Sequence, residues 1–169
     1  MPQSPWERAK SGTEHGEQSA LFIWSRVALH FGVTAANTPD AYKTQGVAQA
    51  LLAKHNDKVE EFQWLHAIHN QGHGDAIRGA KAKAEGVVKG VADVFLPAPH
   101  YCTKADARGY NANWAGLYIE MKREGGGRIS EDQAQFAAYC DRVGYKHEFC
   151  DGWQQAATAL LRYLERDLF

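Results

Sequence analysis

The chain has 169 residues, 44% of them hydrophobic, which suits one domain with an ordinary core and leaves no room for a separate substrate domain. Lys and Arg number 19 and Asp and Glu 20, so no overall basic field announces nucleic-acid binding. No apolar run approaches bilayer length, and Met1-Pro2-Gln3-Ser4-Pro5-Trp6-Glu7 lacks a basic region followed by an apolar one, so the expectation is a single soluble, cytoplasmic domain over 1–169.

In chain order, Ser11-Gly12-Thr13-Glu14 reads as a capping box. Ala20, Leu21, Trp24, Val27, Ala28 and Phe31 then recur at helical spacing. Glu17 lies three and four residues before Ala20 and Leu21 and shares their inward face. There it either favours the positive end of the helix dipole or needs a partner in a site. Residues 33–61 are rich in Ala, Gln, Leu and Lys over 40–57 and read as an added helix after the first. Glu61-Phe62-Gln63-Trp64-Leu65-His66-Ala67-Ile68 alternates as a strand would. Residues 75–85 read as a short basic helix closed by Gly86. Arg78, Lys81, Lys83 and Lys89 form a basic stripe, either a solvated face or a phosphate-holding one.

Asp93 sits inside the short apolar run Val91-Ala92-Asp93-Val94-Phe95-Leu96, and a second run, residues 115–122, ends in Glu120-Met121-Lys122. Both read as strands, joined by a polar connection through Asn113 long enough to be a loop over substrate. Side chains alternate along a strand, so Glu120 and Lys122 share one face while Met121 faces the core. Pairing of the strands would bring Asp93 beside Glu120. Two adjacent carboxylates raise each other's pKa and are best explained by a shared proton or cation, and oxygen donors suit Mg²⁺ or Mn²⁺. Gly125-Gly126-Gly127 allows close backbone approach or a hinge but is no Walker loop. Ser130 and Gln133 form a capping box opening a helix through Val143, ended by Gly144. Residues 145–150 read as a strand, and a last helix runs to about Arg166.

The three cysteines, Cys102, Cys140 and Cys150, show no CxxC spacing and read as reduced thiols. The histidines form no HExxH or similar pair, which argues against zinc. Most Trp and Tyr residues read as core.

Gly90-Val91-Ala92-Asp93, Leu117-Tyr118-Ile119-Glu120-Met121-Lys122, and Gly126-Gly127-Arg128-Ile129-Ser130 with Gln133 resemble, in order, the motifs of the virus-type replication-repair nuclease (VRR-NUC) domain of the PD-(D/E)XK superfamily. Upstream, residues 14–22 are similar to the family's first helix, with Glu17 matching its acidic site residue. The resemblance covers about 14–164. Ala92 stands where the family usually has Pro, a backbone constraint and not a chemical group. The resemblance implies an α/β PD-(D/E)XK core, a central mixed sheet flanked by helices. It also implies a site of Glu17, Asp93, Glu120, Lys122 and Gln133, with Mg²⁺ or Mn²⁺ held by Asp93, Glu120, the Met121 carbonyl and Glu17. Arg78, Lys81, Lys83, Lys89 and Arg128 are the candidates for holding DNA. The implied activity is a structure-specific DNA endonuclease of replication, recombination or repair, cutting four-way junctions as a homodimer in a bacterial or phage-infected host cytoplasm. Flap or unselective DNA cleavage, a non-catalytic DNA-binding module and a small-molecule metal enzyme are the alternatives.

Overall fold

The computed structural model describes residues 3–69, 84–101 and 113–165. Its helices are α1 (Pro5–Ala9), α2 (Glu14–Phe31), α3 (Val33–Ala36), α4 (Gln45–His55), α5 (Glu131–Val143) and α6 (Trp153–Tyr163), with 3₁₀ turns at Pro39–Tyr42 and Glu60–Trp64. The strands are β1 (His66–Ala67), β2 (Val94–Leu96), β3 (His100–Tyr101), β4 (Asn113–Trp114), β5 (Leu117–Lys122) and β6 (Lys146–Asp151). Two compact units emerge: Met1–Leu65 with Met121–Gly127 and Phe149–Phe169, and His66–Glu120 with Arg128–Glu148.

The first unit is mostly helical. Helix α2 starts at Thr13, whose hydroxyl accepts the Gly16 N–H at 3.0 Å. The capping box expected at 11–14 is therefore a single Thr cap, because the third helical position is Gly16 and cannot reach back. Ala20, Leu21, Trp24 and Ala28 are buried as the spacing predicts. A helix absent from the sequence expectations, α1, begins with a complete capping box of Ser4 and Glu7 around Pro5, a signal legible in Ser-Pro-x-Glu.

The added helix of 33–61 is three pieces. Proline disfavours helix in the residue before it, and Thr38 is extended at ψ 110°, so α3 stops short of Pro39. Ala35, Ala41 and Ala48, one from each piece, form a small cluster with Val27 and Phe31 of α2.

Residues 61–68 are not one strand. Glu60–Trp64 is a 3₁₀ turn and only His66–Ala67 pairs. Val59, Phe62 and Leu65 are buried at intervals of three while Trp64 is 65% exposed, and a 3₁₀ turn eclipses residues three apart. That period of three competed with the apparent alternation and prevailed.

The main sheet has the order β1-β2-β5-β6, with β1/β2 and β2/β5 antiparallel. The Gly116 carbonyl accepts from the Lys146 N–H and the Lys122 carbonyl from the Gly152 N–H, both at 3.0 Å. The offset is the same at both ends of β5, so β6 runs parallel to it and the sheet is mixed. Helix α5 is the crossover that a parallel pair requires. It starts at the Ser130–Gln133 capping box and ends at Gly144 in the left-handed region, as expected.

Within the second unit, Val94 and Leu96 of β2 lie opposite Ile119 and Leu117 of β5, all buried on one face. The other face carries Phe95 and Tyr118, stacked at 4.3 Å, with Phe136 of α5 edge-on to Tyr118 at 5.2 Å. In the long connection after β2, β3 and β4 pair as a separate antiparallel ribbon. Cys140 and Cys150 are buried thiols, and burial raises the Cys140 pKa to about 11. Among the described residues, no helix is long and apolar enough to cross a membrane.

Candidate active site

The β2/β5 ladder ends at Val94↔Ile119, so Asp93 and Glu120 each lie one residue beyond a paired position. Opposed residues of an antiparallel pair project to the same face with Cβ atoms about 5 Å apart. That placement is compatible with the carboxylate pair expected from the sequence. The strand position of Asp93 is anchored through its carbonyl, which accepts the Ile68 N–H at 2.7 Å. Ala92, in the place of the family proline, is fully buried.

Gln133 joins them. Its carbonyl oxygen accepts the Ser130 N–H at 2.9 Å as the return half of the capping box, which leaves its amide nitrogen to donate to Glu120 Oε1. One side chain therefore closes a helix cap and holds a carboxylate. Gln133→Ala is expected to cost about 1–2 kcal/mol in urea denaturation by losing both bonds. Gln133→Glu keeps the cap acceptor and sets a carboxylate against Glu120. Its urea midpoint should stay closer to that of the parent than the Ala variant's, while any metal-dependent cleavage falls at least about tenfold.

Along β5, Glu120 and Lys122 share a face as expected, each only 4% exposed. Buried charges persist only where paired or hydrogen-bonded. The Lys122 carbonyl is taken by Gly152, and successive carbonyls of a strand alternate, so the Met121 carbonyl is directed away from β6. The Met121 side chain is in the core. A Cβ at Gly127 would lie 3.1 Å from Lys122 Cδ and 3.4 Å from Glu14 Oε1. The glycine run thus admits a close approach to the lysine stem.

Glu17 is 2% exposed, on the inner face of α2 as predicted. Its Oε2 accepts the Trp153 N–H at 2.9 Å, capping α6, whose own N-cap residue is Gly152 and has no side chain to do so. A carboxylate suits the positive end of a helix. The partner of Glu17 is thus a helix terminus, but that of α6 rather than of its own helix, a pairing invisible to local patterns. Glu17 and Lys122 belong to the first unit; Asp93, Glu120 and Gln133 belong to the second.

Lys89 and Arg128 are exposed. Arg78, Lys81 and Lys83, together with Cys102 and most of the basic helix expected at 75–85, lie outside the described residues. Among the described residues, no three His, Cys, Asp or Glu side chains cluster so as to hold a metal ion. The donor set that remains, two carboxylates and a strand carbonyl, consists of hard oxygen ligands of the kind Mg²⁺ and Mn²⁺ take together with water.

A scan of family models finds no match, and neither does a search of curated proteins. Among solved structures, one described as a VRR_NUC domain protein matches with a TM-score of 0.57 and 17% identity, over 90% of this chain and 88% of that one. The order of motifs along the sequence and the course of the backbone thus point the same way: nearly the whole chain shares the mixed α/β fold of a VRR_NUC domain protein.

Proposed function

We propose that this protein is a Mg²⁺- or Mn²⁺-dependent deoxyribonuclease that hydrolyses phosphodiester bonds in branched DNA, with four-way junctions as the preferred substrate. The observation that supports this reading is Gln133 donating to Glu120 on a strand that continues into Lys122, with Asp93 next to Val94, whose partner Ile119 precedes Glu120. Asp93, Glu120 and the carbonyl of the adjoining Met121 would hold the cation, with Glu17 as the further acidic residue that the resemblance implies. When bound, the cation supplies positive charge to the scissile phosphate and eases deprotonation of water. Gln133 fixes the Glu120 carboxylate. The Lys122 ammonium offsets the acidic groups and either takes the proton from the attacking water or stabilises charge on the phosphate in the transition state. Water oxygen bonds to phosphorus as the P–O bond to the leaving strand breaks, giving a phosphate end and a hydroxyl end. Lys89 and Arg128, with Arg78, Lys81 and Lys83, are the candidates for phosphate contacts.

A four-way junction has two-fold symmetry, which a homodimer with two sites matches. The test is incubation of the pure protein with labelled single strand, duplex, flap and four-way junction in Mg²⁺ or Mn²⁺. Paired, symmetric nicks in the junction are expected. Preferential flap cutting would replace the junction assignment, and tight DNA binding with no cleavage in either metal would leave a binding module of the same fold.

A further inference from the structure

The first unit holds a pocket of about 240 Å³ lined by Trp6, Trp24, Asn37, Trp153, Gln154, Ala157, Thr158 and Leu161. None of these side chains is ionisable, so no countercharge is available there for a phosphate, a carboxylate or an ammonium. The volume falls below the range for drug-sized ligands and suits one flat ring system. Its walls are aromatic. Trp6, half-buried, is held edge-on by Tyr42 at 5.7 Å and by Trp153 at 5.3 Å, and neither contact is a parallel stack.

The polar groups at this pocket are specific in kind. The Asn37 carbonyl oxygen accepts the Trp24 indole N–H at 2.9 Å, which leaves the Asn37 amide N–H₂ as a donor. Gln154, exposed at the rim, adds a donor and an acceptor, and Thr158 adds a hydroxyl. Trp24 and Trp153 are buried, so the half-buried Trp6 indole is the accessible ring, and together with the amide groups it matches a face and the edge of a heteroaromatic base.

We propose that this pocket binds an unstacked nucleobase. Resting on the nuclease reading, the source is a base of the DNA strand rather than a free nucleoside. The reason is Trp153: its ring lines the pocket while its N–H is held by Glu17, a candidate active-site residue. Trp153 is thus shared between the pocket, which its side chain lines, and Glu17, which accepts its backbone N–H.

Three tryptophans line the pocket, so occupancy is read by quenching of their fluorescence in EDTA, where no cleavage occurs. The probes are free adenosine and thymidine, a short single strand, and the same strand with abasic positions. Saturable quenching by the intact strand is expected. Abasic substitution, Trp6→Leu or Gln154→Ala should each weaken it about tenfold, as loss of one stacked base or its edge contacts does. Gln154→Ala alters an exposed helix position, so the fold is kept if the Trp6 variant fails. Quenching by nucleosides but not by the strand would retain the pocket and reassign its ligand to a free nucleoside. Equal binding of intact and abasic strands, unaltered by Gln154→Ala and with no response to nucleosides, would overturn the proposal. Because the readout needs no metal, lost cleavage with intact quenching would count against the nuclease reading alone.

Discussion

Asp93→Ala is expected to abolish metal-dependent cleavage, lowering the rate about a thousandfold or more, while the protein remains folded. Charge stabilisation by a catalytic cation is worth several kcal/mol, and each 1.36 kcal/mol is about a factor of ten in rate. Asp93 lies at the entry to β2 and is half-buried, and its backbone bond from Ile68 does not depend on the side chain. The circular dichroism spectrum and melting midpoint should therefore barely move. Lys122→Met, which keeps the length of the buried stem and removes the ammonium, should cost a similar factor. Unlike the Asp93 variant, it should not weaken binding of Mn²⁺ measured by calorimetry. Retention of junction cleavage by the Asp93 variant would remove the carboxylate pair from the mechanism.

Gly90→Ala should be strongly destabilising. Gly90 has φ +79°, a conformation that L side chains rarely adopt, and a Cβ there would lie 2.4 Å from the backbone carbon of Asp132. Backbone strain of this kind costs about 1–3 kcal/mol and overpacking against an immobile group about as much again. A total of roughly 3 kcal/mol or more would lower the midpoint by about 6–12 °C for a chain of this size. Gly86→Ala is the control: its φ is +88° and nothing lies within 4 Å of a Cβ there, so only the strain remains. Equal midpoints for the two variants would show that the contact with Asp132 has no energetic weight. Asp132 stands in the first turn of α5 beside Gln133, so the Gly90 variant should also lose cleavage through displacement of that glutamine.

The features legible in the sequence are those whose physics is local. Glu120 and Lys122 share a face because side chains alternate along any strand. Ser130 and Gln133 cap α5 because both partners lie within one helical turn, and α2 follows from the spacing of Ala20, Leu21, Trp24 and Ala28. The pairing of the two apolar runs was readable as a possibility, but its register, Val94 opposite Ile119, needed the sheet. Tertiary structure alone decided the rest. Residues 60–64 turned as a 3₁₀ helix because burial of Val59, Phe62 and Leu65 outweighed a weak alternation. The amide nitrogen of Gln133 found Glu120 because α5 crosses over β5 and β6. Glu17 came to cap a helix 136 residues away. Trp6, Trp24 and Trp153 met around one pocket for the same reason. Such contacts arise from packing between distant segments, and neither propensity nor periodicity, which report on a few neighbouring residues, contains them.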